Sequence, residues 1–329
     1  MKAVFYKFRP ILKETVWGGR RIAHMKRIAD VSDPIGESWE ISGLPDAETI
    51  CANKGEEEGL TMHELIDRHG DELLGKGMTA IYGNTFPLLI KFIDAASDLS
   101  IQVHPDDATA RRHGHDRGKT ETWYVVKAEP GSKLLAGFRK DMTSESYNQS
   151  LANGTLHHDI VEYTATPGDC YDIPAGCIHA ICSGTFIIEV QQTSNVTYRV
   201  FDYNRPDLYG QLRRLHTKEA LECLDLREDQ RRKVSGRKLD NGITELVKNH
   251  YFQTRLLTTS TRIDFAHPAA STFHILVCFE GEAEITSPMT DTPTLITEGE
   301  SILIPAIITE YTITAKSGDT KLIEASLPV

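Results

Sequence analysis

Four stretches of this sequence carry residue types that can do chemistry. In Gln102-Val103-His104-Pro105-Asp106-Asp107, residues two apart on a strand share a face, so Gln102 and His104 point the same way and Val103 packs behind them. Pro105 then ends the strand. In Gly118-Lys119-Thr120-Glu121-Thr122-Trp123-Tyr124-Val125-Val126, alternation sends Glu121, Trp123 and Val125 one way and Thr122, Tyr124 and Val126 the other. An acid aimed inward at the mouth of such a strand is costly unless a cation or donor meets it. Between Gly168 and His179 the order Gly, Pro174, Gly176, His describes a strand, a tight turn and a histidine returning to the interior. Singly, these are a structural histidine or a solvated acid. Together they are one carboxylate, two imidazoles and an amide oxygen, which suits a divalent first-row metal. Zinc takes these donors readily and keeps an open position when catalytic, and iron, manganese and cobalt accept the same set. The fourth stretch, from Glu189 to Arg205, is dense in polar groups within apolar strand signals; Arg199 between Tyr198 and Val200 is costly in an interior unless it faces an anion.

The elements that must position these residues are mostly short strands. Runs rich in Val, Ile, Phe and Tyr, bounded by Gly, Pro, Asp or Asn, occur at Phe86–Ile93, Thr122–Lys127, Lys133–Gly137, Thr185–Gln191, Thr197–Tyr203, Phe273–Phe279, Ala283–Thr286 and Ser301–Ile304. The pattern predicts a mainly β protein, a sandwich or barrel. Few helices are expected. Thr61 and Glu64 form a capping box for a helix running to Gly75; Ser144–Ala152 stops at Asn153-Gly154; Thr217–Leu224 is expected to be capped by Thr217. Residues 231–242 are charged and aperiodic and read as a linker between a catalytic domain at 1–230 and a smaller β-domain at 243–329. Gly168-Asp169 with Pro174-Ala175 is echoed by Gly299-Glu300 with Pro305-Ala306, a weak repeat that argues for two related β-domains. Five residues beyond Pro174 stands His179, whereas five beyond Pro305 stands Glu310, so only the first copy is expected to hold a metal.

The chain has 329 residues, 25% charged and 40% hydrophobic, enough for two domains with real cores. A net charge of −11 argues against broad binding to nucleic acid but allows one small anion in a local basic pocket. No apolar run is long enough to span a membrane and the first residues carry no leader-like apolar stretch, so neither a membrane partner nor export is expected. Six cysteines without CxxC spacing read as free thiols of a cytoplasmic protein. A monomer or small homo-oligomer is expected.

The spacing Gly168-x5-Pro174-x-Gly176-x2-His179 resembles the second motif of the cupin superfamily, although the Asn expected shortly afterwards is replaced by Ala180-Ile181-Cys182-Ser183. Over almost its whole length the chain resembles type I phosphomannose isomerases in their short bacterial form. The resemblance rests on Glu14-Thr-Val-Trp17-Gly18-Gly19, Gly36-Glu37-Ser-Trp39-Glu40, Pro87-Leu-Leu-Ile-Lys91-Phe-Ile-Asp94-Ala95, Gln102-Val-His104-Pro-Asp-Asp107, Gly118-Lys119-Thr-Glu121-Thr-Trp123, Ile173-Pro-Ala-Gly-Cys-Ile-His179 and Asn195-Val-Thr-Tyr198-Arg199-Val-Phe-Asp202. It implies a cupin (jelly-roll) β-barrel catalytic domain with a few short helices and a second, cupin-like β-domain. It also implies one zinc ion on Gln102, His104, Glu121 and His179; an active-site Arg199; pocket lysines Lys91 and Lys119; and an acid at Glu189. The implied reaction interconverts mannose 6-phosphate and fructose 6-phosphate through an enediol. Catalysis would fall to Arg199, Glu189 and Lys119, and phosphate binding to Lys91, Lys119 and Arg199. A metal-bound water or a lysine is an alternative base to Glu189. Trp17 and Trp39 read as core residues, with stacking on the sugar as the alternative. The second domain reads as packing, with a binding role for His274 and Glu310 as the alternative. Another sugar-phosphate isomerase on the same fold, a non-catalytic sugar-phosphate binder and a metal-dependent dioxygenase are the rival functions, and fold alone decides between none of them.

Overall fold

In the computed structural model, which describes residues 3–29, 34–229, 231–268 and 271–328, the alternating runs become antiparallel strands arranged in four principal sheets. A seven-stranded sheet runs Lys233–Val234, Cys170–Ile173, Glu121–Ala128, Thr185–Gln192, Leu88–Ala95, Ile11–Gly19, Ile35–Ile41. A five-stranded sheet runs Ile160–Thr164, Lys133–Phe138, His179–Ile181, Ile101–Val103, Tyr198–Phe201. Trp17, Ile93, Trp123 and Val125 from the first meet Leu134, Ala136 and Ile181 from the second in one core, so these two sheets form a sandwich. The C-terminal part repeats the plan with a six-stranded and a four-stranded sheet, whose core joins Leu257, Leu276 and Leu322 to Phe265, Ile285 and Ile313.

A third core lies between the two sandwiches. Phe92, Phe186 and Ile188 on the outer face of the seven-stranded sheet pack against Phe273, Ile275, Val277 and Ile323 of the six-stranded one. The sheets therefore stack in the order five, seven, six, four. This explains why Leu88–Ala95 and Thr185–Gln192 are buried at every position rather than at alternate ones. It also explains why charged residues on those strands must find partners inside the protein. The chain start is sewn into the far sandwich: Phe5 lies in its core, and Tyr6 and Leu303 exchange two backbone hydrogen bonds of 2.9 Å.

The expected strands occur within a residue or two of their forecast limits. The helices differ more. The capping box of Thr61 and Glu64 forms, but Gly70, at φ +52°, splits the segment into Met62–His69 and Asp71–Leu74. Ser144–Ala152 is as expected, with Thr143 as its cap. The last helix is Thr217–Cys223; Thr217 is its first residue rather than its cap, and His216 precedes it without a side-chain capping bond. Residues 231–242 are tied at both ends, with Lys233–Val234 paired to Cys170 and Tyr171 and Arg237–Lys238 paired to Thr244 and Glu245.

The repeat extends beyond the Gly/Pro signature. Ile173 lies opposite Glu121 in the first copy and Ile304 opposite His274 in the second. Glu189 stands between Lys91 and Trp123; Glu324 stands between Arg255 and Leu276. By register, His274, Arg255 and Glu324 take the places of Glu121, Lys91 and Glu189. In the second copy Glu324 is bound by Arg255 and accepts from His274 Nδ1 at 2.8 Å. Glu310 is exposed.

Candidate active site

Strand pairing sets the charged residues abreast. Antiparallel partners share a face, so Trp39, Lys91, Glu189 and Trp123 form a row across four strands of the seven-stranded sheet. Glu121 and Gln191 stand in the next row. On the facing sheet His179, Gln102 and Arg199 lie abreast, and His104 is the first residue past Val103. Two close approaches complete the floor. Gly176, at φ +86°, makes the turn after Pro174 that brings His179 back, and its N–H donates to His104 O at 2.9 Å. Gly118 packs so tightly on Pro105–Asp107 that a Cβ there would fall 2.5 Å from Asp106 C, and the next residue, Lys119, donates its N–H to Pro105 O at 2.9 Å.

His104, Glu121 and His179 converge, with one donor atom from each lying within 4.8 Å of the others. Each Nε2 stands 3.4 Å from a different oxygen of Glu121, and no side chain of the three is more than 1% exposed. His104 Nδ1 lies 2.8 Å from Val196 O and His179 Nδ1 2.9 Å from Cys177 O. A carbonyl only accepts, so both Nδ1 atoms carry the proton and both Nε2 lone pairs face Glu121. Burial holds the His104 pKa well below its usual value and that of His179 at about 4, which keeps both lone pairs available at neutral pH. His104 Nε2 and both oxygens of Glu121 are buried without a well-formed hydrogen bond, although Lys119 Nζ stands 2.9 Å from Glu121 Oε2. Unsatisfied lone pairs on His104 and Glu121, converging with Nε2 of His179, are what a divalent cation satisfies, so the residues fit a metal. Gln102 borders this cluster, its Nε2 3.3 Å from His179 Nε2; turning the amide end for end presents its oxygen there instead.

The two acids end with opposite shifts. Burial and repulsion from Glu189 push Glu121 up to about 7 against the pull of Lys119. Burial raises Glu189 as well, but Lys119 and Lys91 outweigh it and hold its carboxyl at about 2. Burial disfavours the Lys91 charge, yet Glu189 and Glu37 more than compensate and raise its pKa. Lys91 is thus fully engaged, 3.1 Å from Glu189 and 3.5 Å from Glu37, with Trp39 ring centre 5.2 Å away.

A cavity of about 140 Å³ opens beside the cluster, lined among others by Trp17, Gln102, Lys119, Glu189, Arg199 and Arg213. Gln102 and Lys119 line it and also touch the buried triad, so a ligand there meets the cluster through them. Larger clefts elsewhere, the widest about 920 Å³, lack the triad. The sequence candidates for the metal cluster and the substrate pocket all gather here, whereas His274 and Glu310 lie in the C-terminal sheets. Trp39 is core, its Nε1 donating to Glu37 at 2.6 Å, whereas Trp17 both packs in the core and borders the cavity. Sequence reasoning gave no role to Glu37, which stands two residues before Trp39 on the strand Ile35–Ile41, or to Arg213, which stands in no strand pattern.

A model of the phosphomannose isomerase type I catalytic domain matches residues 5–150, which includes Lys91, Gln102, His104, Lys119 and Glu121. A probable mannose-6-phosphate isomerase of Bacillus subtilis, GmuF, is 32% identical over 92% of this chain and 94% of its own length. A second from the same organism, ManA, is 30% identical over 97% and 93%. The chain belongs to the type I phosphomannose isomerase family. The crystal structure of the mannose 6-phosphate isomerase from Bacillus subtilis superposes with a TM-score of 0.87 at 28% identity, covering 98% of this chain and 99% of that one. Phosphomannose isomerases are aldose–ketose isomerases of sugar phosphates, and the mainly β architecture described above is theirs. Among the described residues no helix is long and apolar enough to cross a membrane.

Proposed function

We propose that the protein interconverts mannose 6-phosphate and fructose 6-phosphate, using one zinc ion held by His104, Glu121, His179 and the amide oxygen of Gln102. The observation that carries this reading is the set of converging, unsatisfied buried donors beside a cavity lined by cations. When bound, zinc supplies Lewis acidity toward the oxygens at C1 and C2. Glu189 takes the proton from C2 and returns it to C1, so that one C–H bond is exchanged for another and the enediol lies between. At about 2 its carboxyl is ionised but a weak base. A dianionic substrate beside it raises its proton affinity, as does recruitment of Lys119 to the substrate oxygen. Lys119 donates a proton to the oxyanion that develops on the C1 oxygen and takes one from the C2 hydroxyl as the C2 carbonyl forms, which moves the oxygen-bound hydrogen from O2 to O1. Lys91, buried and already shared by two acids, fixes Glu189 rather than meeting the phosphate. Arg199, in register with Gln102, faces the cluster end of the substrate, where negative charge develops on the oxygens. The free cysteines suit a cytoplasmic enzyme.

The test is a coupled assay of fructose 6-phosphate formation from mannose 6-phosphate on as-isolated, chelator-treated and zinc-restored protein. Activity is expected to vanish with the chelator and return with zinc. No turnover in any sample, with folded protein and metal bound, would replace the isomerase reading with that of a sugar-phosphate binder. Return with iron or manganese but not zinc would overturn the metal assignment alone.

A further inference from the structure

We propose that Arg213 is the principal phosphate-binding residue of this site, fixed in place by Asp202. The inference rests on the site assignment above and deepens it. A phosphate dianion needs cations that are not already neutralised. Four line the cavity: Lys91, Lys119, Arg199 and Arg213. The lysines are committed, Lys91 to Glu189 and Glu37, and Lys119 to Glu121 at 2.9 Å and Glu189 at 3.8 Å. Arg199 has no carboxylate within ion-pair distance among the described residues. Arg213 shares the buried carboxylate of Asp202 with Arg205. Arg205 and Arg213 thus share a single acid, which leaves them incompletely neutralised, and Arg199 stands near enough to feel both Arg213 and Asp202.

Geometry separates the three. Arg205 also donates to Ser97 Oγ at 3.3 Å, lies 5.6 Å from the Tyr203 ring centre and does not border the cavity. Arg199 pairs in register with Gln102, which puts it at the cluster end of the substrate. Arg213 donates through Nε and Nη2 to the two oxygens of Asp202, each at 2.6 Å. A guanidinium has five N–H bonds, so three remain for a ligand. The side chain is already held in one arrangement, which reduces the ordering cost of binding. The loop that carries it leaves the Arg199 strand and returns to it, through Asp207 N–H to Gln211 O and His216 N–H to Arg199 O, both at 2.7 Å. Arg213 lines the same cavity as Lys119 and Glu189, so a sugar held there by its phosphate shares the cavity with both.

The experiment measures steady-state kinetics of zinc-loaded Arg213→Gln and Arg213→Lys on mannose 6-phosphate, with zinc content determined on each. Loss of a charge-assisted bidentate contact is expected to raise KM about 10- to 100-fold, with kcat within about threefold and one zinc retained; Lys should recover part of the loss. Since Arg213→Gln leaves Asp202 with one partner fewer, Asp202→Asn/Arg213→Gln is measured too and should show the same KM. A KM within twofold of the parent in these variants overturns the proposal, and so does a fall in kcat as large as the rise in KM. Parallel measurement of His104→Ala tests the underlying site separately: retained zinc and activity there would displace the whole site, whatever Arg213 does.

Discussion

The imidazoles of His104 and His179 are oriented by main-chain carbonyls, Val196 O and Cys177 O, and not by acids. Side-chain substitution cannot easily remove those partners, so the metal end should be sensitive to its own donors and robust to surrounding polar changes. His104→Ala is expected to lose at least about 100-fold in zinc affinity, seen as zinc-free protein after dialysis and as lost turnover. Glu189→Gln should keep its zinc and lose about 10²- to 10⁴-fold in kcat; turnover equal to the parent would assign the base elsewhere. The C-terminal cluster offers a stability prediction with a definite sign. Burial and the neighbouring His274 hold the His267 pKa at about 4, against 6.5 in an unfolded chain. Between those values the unfolded state binds more protons, so stability is fully present above pH 6.5 and falls as pH drops toward 4. The loss is on the order of 2 kcal/mol, and urea unfolding at pH 7 and 4.5 should show a smaller drop for His267→Asn.

Among the elements, the alternating strands were the most legible part of the site. Glu121, Trp123 and Val125 turn to the inner core while Tyr124 turns to the outer one, as the period of two requires. The capping box of Thr61 and the stop after Ala152 were readable for the same reason, a local rule with a local cause. Helices of five or six residues, Arg21–Met25, Met78–Tyr82 and Asp107–Arg112, are too short to show a helical period and escaped notice. Arg213 was invisible because its partner Asp202 stands eleven residues away across an irregular loop, where no period links them. The doubling back of Gly118 on Pro105–Asp107 is likewise a contact between segments rather than a pattern. It carries a prediction of its own. A methyl at Gly118 would press on backbone atoms at 2.5–2.6 Å, which cannot swing aside, and Lys119 would be displaced. Gly118→Ala is expected to reduce kcat/KM by about 10²-fold, the effect of a shift near 1 Å in a positioned group, with zinc content unchanged.

At the level of the whole molecule, the four-sheet stack makes the two sandwiches one cooperative body. The core between them draws on Phe92 and Phe186 from one side and Phe273 and Val277 from the other, so neither face is suited to water. Separating the chain within residues 231–242 exposes that core, and a fragment from residue 243 onward also lacks Phe5. Phe5→Ala should cost about 3–5 kcal/mol of stability, measured by denaturant unfolding, while the KM for mannose 6-phosphate of the folded fraction stays unchanged. A change in KM with little loss of stability would mean that this residue acts on the site and not on the stack.

The strand exchange between Tyr6 and Leu303 also sets a timetable for synthesis. Tyr6 is made well before its partner, which emerges almost 300 residues later. At about 5–20 residues per second that is a wait of roughly 15–60 s. For that interval Phe5 lacks the C-terminal core it ends in, and Tyr6 has Phe8 and Glu57 beside it but not its main-chain partner. A nascent chain halted before residue 300 should leave Phe5 and its neighbours more open to protease than the full-length chain does, so that a segment translated early is among the last to be protected.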